Sequence, residues 1–203
     1  LMGLAGVLIG GALGGTLELE TIEGQGTVFT LRLPVTLAIT RALLVRVSDA
    51  KQMQLGHVAQ ADARWRLYAF AGKADSSTPG SAIHKLADWL ETHPNSPVVK
   101  HTRQGEDVDA VIDFRAVFQQ TFDQLAYENM PSLLKPKTGK LGLQDHEKVF
   151  CVDHKGVGDI FAMRGIHRDA GCMIVVRPDQ YVAHILPLDA YDELAAFFSG
   201  ILK

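Results

Sequence analysis

The sequence predicts an α/β fold, a central mixed sheet with flanking helices, preceded by an extra N-terminal β-hairpin. Three observations carry this reading. The chain ends in a hairpin and an amphipathic helix: Met173–Val176 and Tyr181–Leu186 are apolar runs joined by Arg177-Pro178-Asp179-Gln180, a turn signal, and Tyr191, Leu194, Ala195, Phe198 and Ile201 follow at helical spacing. The middle of the chain reads strand, helix, strand. The first of those strands, Arg64–Phe70, alternates Trp65, Leu67 and Ala69 against Arg64, Arg66, Tyr68 and Phe70, as a central strand with aromatic packing would.

The remaining elements follow in order. Thr16–Thr21 and Thr27–Leu33 alternate around Glu23-Gly24-Gln25-Gly26, which predicts the extra hairpin. Gly72–Gly80 is rich in Lys, Asp, Ser, Pro and Gly and reads as a loop. Ser81 is an N-cap for a helix through Thr92 with Ile83, Leu86, Ala87 and Leu90 inward, and His93-Pro94-Asn95-Ser96-Pro97 stops it. Val108–Phe114 reads as a strand and Val149–Val152 as a short buried one. Pro131, Pro136 and Gly139 argue against one long element over Thr121–Gly142. Pro187-Leu188-Asp189 opens the last helix, with Asp189 as N-cap. Of the large aromatics, Trp65, Tyr68, Trp89, Phe197 and Phe198 are expected in the core, and an exposed one would be an interface anchor. The order β-α-β, then hairpin and helix, is α/β of thioredoxin type.

Composition excludes several functions. The chain has 203 residues, 47% apolar and 21% charged, enough for one good core and an appendage. A net charge of −3 gives no electrostatic case for nucleic acid or an anionic membrane. Leu1–Leu17 carries no charge, but it is short for a span, rich in glycine and without a basic flank, so it reads as a buried element rather than an anchor. Two cysteines, Cys151 and Cys172, form neither a disulfide framework nor a metal-ligand spacing, which agrees with a reducing cytoplasm.

Candidate chemistry is sparse. A thioredoxin needs Cys-x-x-Cys at a helix N-terminus, where the dipole lowers the thiol pKa. The equivalent position here, Ala69-Phe70-Ala71-Gly72-Lys73-Ala74, has no cysteine. Cys151 lies within an apolar strand and Cys172 borders another, so buried, inert thiols are expected. His146, Asp153, His154 and Asp159, then His167, Arg168 and Asp169, cluster in sequence without a two-His helical pair or a Cys/His knuckle, so no metal site is expected. No Gly-x-Gly-x-x-Gly follows a strand; Gly156-Val157-Gly158-Asp159 lacks the third glycine, so no flavin or other cofactor is expected on this chain. Arg177-Pro178-Asp179 makes a rigid turn, since Pro fixes φ and Asp can bond the turn backbone. With Tyr181 these residues are the structural or interface candidates.

The wording of the C-terminal part resembles a known family. "GDIFAMRGIHRDAGCMIVVRPDQYVAHILPLDAYDELAAFFSGIL", "VRVSDAKQMQLGHVAQADARWRLYAFAG", "LADWLETHPNSPVV" and "DVDAVIDFRAVFQQ" are similar to the C-terminal domain of the FAD-dependent phenol 2-monooxygenase family, over about residues 45–203. The resemblance implies a thioredoxin-like module that binds no flavin and supports subunit association. It also implies a parent enzyme that hydroxylates a phenolic ring ortho to its hydroxyl with FAD, NADPH and O2, those groups being held by preceding domains. The implied partners are the flavin-binding core and a second copy of this chain.

"LGGTLELETIEGQGTVFTLRLPVTLAITRALLVRV", Leu13–Val47, resembles instead the end of the ATP-binding domain of chemotaxis-type histidine kinases, with Gly24, Gly26 and Thr27 on its last glycine box. The asparagine helix, the aspartate–glycine box and the lid of that family are absent, so nucleotide binding is not expected. The two resemblances meet at Val45-Arg46-Val47, which suggests a chimera or a fragment; a first residue of Leu agrees with a fragment. The expected organisation is a kinase-like hairpin remnant over 1–44, no independent domain, and a thioredoxin-like domain over 45–203. The rival readings are a thiol-dependent thioredoxin-like oxidoreductase or peroxidase using Cys151 or Cys172, and a signalling scaffold built on the kinase-like hairpin.

Overall fold

The computed structural model describes residues 16–22, 26–32, 43–155 and 158–202. The chain divides into two compact units, Leu1–Ala38 and Ile39–Lys203. In the first, strands β1 (Thr16–Ile22) and β2 (Gly26–Arg32) form an antiparallel hairpin in register from Thr16↔Arg32 to Ile22↔Gly26. Residues 1–15, 23–25 and 33–42 lie outside the described residues, whereas the seam at Val45-Arg46-Val47 is described, with Val45 and Arg46 in the strand Leu43–Arg46.

The second unit is built on a seven-stranded mixed sheet. Its strands are β3 (Leu43–Arg46), β4 (Lys51–Gln54), β5 (Trp65–Phe70), β6 (Ile112–Phe118), β9 (Val149–Val152), β10 (Cys172–Val176) and β11 (Val182–Leu186), ordered β11-β10-β5-β6-β9-β3-β4. A separate small ladder pairs β7 (Lys137–Thr138) with β8 (Leu143–Gln144). Strands β5, β6 and β9 run parallel at the centre, and the outer pairs are antiparallel. The strand–helix–strand unit, terminal hairpin and closing helix are therefore arranged as the sequence predicts.

Helices cover both faces. On one, α2 (Ala82–Thr92), α3 (Pro97–His101) and α5 (Tyr191–Ile201) pack on Leu67, Ala69, Phe114, Ala116, Phe118 and Val175. On the other, the single turns α1 (Leu55–Val58) and α4 (Ile160–Met163) pack on Tyr68, Phe70, Val117 and Phe150. Ile83, Leu86, Ala87 and Leu90 of α2 are fully buried, and Ser81 caps the helix by accepting from the His84 N–H. Tyr68 and Phe198 are core residues; Trp65, Trp89 and Phe197 are half-buried, so none of the five is an exposed anchor.

Several elements differ from the sequence reading. The strand expected at Val108–Phe114 runs from Ile112 to Phe118, because Asp107–Ala110 forms a turn closed by Ala110 N–H to Asp107 C=O at 2.9 Å. Asp189 is not the N-cap of the last helix: the helix begins at Tyr191, and Asp189 accepts from the Tyr191 N–H through its carbonyl. Ile201, expected inward, is 46% exposed in the last turn. The stop signal after Thr92 also starts α3, with Ser96 as cap and Pro97 at the first helical position. Thr121–Gly142 contains three single 3₁₀ turns, Phe122–Gln124, Tyr127–Asn129 and Ser132–Leu134.

Candidate functional site

In an open α/β sheet, ligands and catalytic groups gather at the carboxyl ends of the parallel strands. Here that corner is made by Ala71–Asp75 after β5, Gln119–Gln120 after β6, Asp153–His154 after β9 and His167–Gly171 before β10. It is filled by the chain's own polar groups. Gln119, buried, donates through Nε2 to Ala71 O at 2.9 Å and Arg168 O at 2.7 Å, and accepts from Arg168 Nη1 at 3.0 Å. Arg168 also pairs with Asp159 and lies over the Phe161 ring.

Two glycines bring the loops into contact. A Cβ on Gly171 (φ +66°) would meet Phe70 O at 2.1 Å, and one on Gly72 would meet Asp169 O at 2.4 Å. No side chain fits at either glycine without moving the neighbouring backbone.

The amino end of α2 is occupied in the same way. Asp75, buried, accepts from Ile83 N–H at 2.8 Å and Ser77 N–H at 2.9 Å. A helix N-terminus ordinarily offers its free N–H groups and positive dipole end to an anion. A carboxylate already seated there repels a pyrophosphate, so the described residues do not fit a flavin or nucleotide at this position. Gly156 and Val157, part of the glycine look-alike, lie outside the described residues.

Neither thiol is placed for chemistry. Cys151 is fully buried in β9; burial, with Asp153 and Asp123 adding to it, pushes its thiol up to about 12. Burial pushes Cys172 up to about 11. Thiolate, not thiol, is the nucleophile, so both are protonated near neutral pH. The His/Asp residues singled out in sequence are dispersed: His154 bonds Gln119 O, Asp159 caps α4 and His146 meets Tyr127. Among the described residues no group of three or more His, Cys, Asp or Glu could hold a metal ion.

The opposite ends of β5 and β6 carry a feature that sequence reasoning missed. Arg64, Arg66, Arg115 and Lys148 interlock with Asp62, Asp109, Asp113 and Asp145. Lys148 and Asp113 are 0% exposed, and Arg66, Asp109 and Arg115 are buried. Lys148 Nζ lies 2.6 Å from both Asp109 and Asp113 and 3.3 Å from Asp145. Arg115 grips one Asp113 oxygen through Nε at 2.9 Å and Nη2 at 2.8 Å. Arg66 Nε lies 2.9 Å from the same oxygen but is not aligned to donate to it.

Four cations and four carboxylates leave the network neutral. Burial alone would push the Asp113 carboxyl up; Arg115 and Lys148 outweigh it and hold it below the usual range. Tyr68, beside Arg66 and Arg115, has its hydroxyl pushed up by burial. The signal available in sequence was the charged alternation Asp113/Arg115 inside an otherwise apolar run.

The hairpin tip is a surface feature. Gln180 (φ +69°) closes the turn by donating N–H to Arg177 O at 2.8 Å, and Arg177 N–H donates to Tyr181 O at 2.8 Å. Arg177 Nη2 and Asp179 Oδ2 are 2.5 Å apart, both half-exposed, and Asp179 Oδ1 accepts from Tyr181 N–H at 3.4 Å. Pro178 is partly covered and Tyr181 is 53% exposed. The four predicted residues thus share one rigid, solvent-facing turn, remote in sequence from the ionic network.

The chain is 49% identical over 163 residues to a 3-hydroxybenzoate 4-monooxygenase of Comamonas testosteroni, covering 80% of this chain and 26% of that protein. It is 28% identical over 174 residues to an FAD-dependent monooxygenase, terD, of Aspergillus terreus, covering 84% of this chain and 28% of that one. The chain therefore spans about a quarter of the length of these relatives. Among solved structures, a peroxiredoxin Q of Xanthomonas campestris aligns with a TM-score of 0.47 at 12% identity, over 82% of this chain and 95% of that one. Residues 25–203 match the family described as phenol hydroxylase, C-terminal dimerisation domain, a match that starts within the kinase-like segment. With that match over most of its length, the chain belongs to the phenol hydroxylase C-terminal dimerisation domain family.

Proposed function

We propose that this chain is the C-terminal structural and self-association module of a flavin-dependent aromatic hydroxylase and carries no catalysis of its own. The observation that carries this is the 49% identity to the quarter of the 3-hydroxybenzoate 4-monooxygenase that it matches. The corner at the carboxyl ends of β5, β6 and β9 supports it: its polar groups bond one another, and neither thiol of the chain is a thiolate near neutral pH. FAD and NADPH would be held by the rest of such an enzyme, and the aromatic substrate with them. The partners are that flavin-binding core and a second copy of this chain. The module corresponds to residues 45–203, preceded over 1–44 by a kinase-like hairpin remnant that is no independent domain, and it works in the cytoplasm. Among the described residues no helix is long and apolar enough to cross a membrane. Arg177, Pro178, Asp179 and Tyr181 form a rigid tip suited to the flavin core, with an Arg and a half-exposed Tyr as its contact groups.

Sedimentation velocity of the chain over a range of micromolar concentrations tests self-association. A reversible monomer–dimer equilibrium is expected. A single monomeric species throughout overturns it.

A further inference from the structure

The most exposed large apolar side chains among the described residues are Leu141 and Leu143, at 83% and 66%. Both sit on the small hairpin of β7 and β8, paired Lys137↔Gln144 and Thr138↔Leu143. The hairpin is held in shape. Gly142 N–H donates to Gly139 O at 3.0 Å across the turn, and both glycines have positive φ, +71° at Gly139 and +60° at Gly142, a conformation glycine adopts at little cost. The Gly139 N–H donates to the Asp107 carboxylate at 2.9 Å, and Asp145 N–H donates to Pro136 O at 2.8 Å. Such fixing presents the two leucines to solvent in a set geometry, which favours binding because little order remains to be imposed.

At the base of this prong the same chain has an open cavity of about 360 Å³, lined by Glu91, Val108, Ser132, Lys135, Pro136, Lys137 and Gln144. Lys137 and Gln144 belong to the prong's own ladder, so prong and cavity are neighbours on one surface. Val108 and Pro136 give the cavity apolar wall. Glu91 gives it a carboxylate, already fixed by accepting from the Ser132 hydroxyl. On the prong, Lys140 precedes Leu141 at the turn.

An isologous dimer needs one patch that complements itself, with residue i meeting j and j meeting i. An apolar tip with a leading cation, beside a part-apolar cavity holding a carboxylate, meets that requirement. We propose that two copies of this chain associate by reciprocal insertion of this prong. Leu141 and Leu143 of each copy enter the other's cavity, and Lys140 meets Glu91 across the twofold axis. The occupant is a second copy because one chain carries both the prong and a cavity of matching character. This assignment rests on the self-association reading above and names its surface.

The test is sedimentation of the full chain and its variants. Leu141→Asp with Leu143→Asp raises the dimer dissociation constant at least about thirty-fold, the factor carried by one interface hot spot. Both side chains are solvent-exposed, so the circular dichroism spectrum stays unchanged, and the thermal midpoint equals the parent's at concentrations where both are monomeric. Glu91→Lys and Lys140→Glu each weaken the dimer, and the two together restore it, a rescue that a general loss of folding cannot produce. A monomeric parent chain overturns self-association itself. A dimer indifferent to the leucine pair, or single charge reversals without rescue, leaves self-association standing and overturns the prong as its surface.

Discussion

Asp113→Asn is the sharpest perturbation of the fold, because its effect can be worked from individual bonds. Asp113 is fully buried and takes two donors from Arg115 and one from Lys148. Loss of its charge does not fall evenly on its partners. Lys148 keeps Asp109 and Asp145, and Arg66 keeps Asp62. Arg115 keeps only a 3.4 Å contact from Nη1 to Glu147 O. The substitution therefore leaves one buried guanidinium uncompensated, a situation that costs about 3–5 kcal/mol. For a domain of this size that corresponds to a fall of about 6–20 °C in midpoint.

Urea unfolding followed by circular dichroism measures it directly. Adding Arg115→Met removes the orphaned charge and recovers much of the loss, since an apolar replacement of similar length has no desolvation to satisfy. A loss below about 1 kcal/mol for Asp113→Asn, the level of an exposed pair, would refute the network as a buried unit.

Three further outcomes follow from the same structure. Asp113 and Asp62 are held below the usual carboxylate range, Asp62 by Arg64 and Arg66 against its burial, so their stabilisation is complete above about pH 4 and is lost as pH falls through their lower folded values; midpoints measured from neutral pH downward should fall most steeply below that point. Cys151 and Cys172 are pushed up to about 12 and about 11, so the folded state holds protons that the unfolded state releases above about pH 8.5, and stability declines from there toward alkaline pH; Cys151→Ala should flatten that decline, and native Cys151 should not react with a thiol reagent near neutral pH. Gly171→Ala places a methyl against Phe70 O at a positive φ and should cost at least about 2 kcal/mol, whereas Gly105→Ala, positive in φ but in open space, should cost less; thermal melts of the pair separate contact from backbone strain.

Legibility in the sequence followed the strength of local signals. Strand β10, the Arg177–Gln180 turn and β11 are readable because Pro and Asp punctuate two apolar runs. Helix α2 is readable because Ser81 caps four apolar residues at helical spacing. Strand β6 was misplaced because Val108 and Val111 begin the apolar signal early, while Asp113 and Arg115 interrupt it. Those two are buried as an ion pair, and pairing is a tertiary fact that no local pattern carries.

Strand β4, Lys51-Gln52-Met53-Gln54, is an edge strand whose Gln52 bonds Asp153 far along the chain, so its polar sequence hides it. Helix α3 could have been found: Ser96-Pro97 is a cap followed by proline at the first helical position. The candidate surface was legible at the hairpin tip, where turn chemistry is local. It was not legible at the β7–β8 prong, where Asp107 reaches across the chain to hold Gly139 and the signal in sequence is a loop.

The central claim is that this chain is the C-terminal module of an aromatic hydroxylase. It is tested most directly by replacing the matched quarter of the Comamonas testosteroni 3-hydroxybenzoate 4-monooxygenase with residues 39–203 of this chain and measuring 3-hydroxybenzoate-dependent product formation and sedimentation together. The account predicts an enzyme that keeps its parent's oligomeric state and most of its turnover, while this chain alone forms no product. A folded chimera that has lost its association, or product formed by this chain alone, would contradict it.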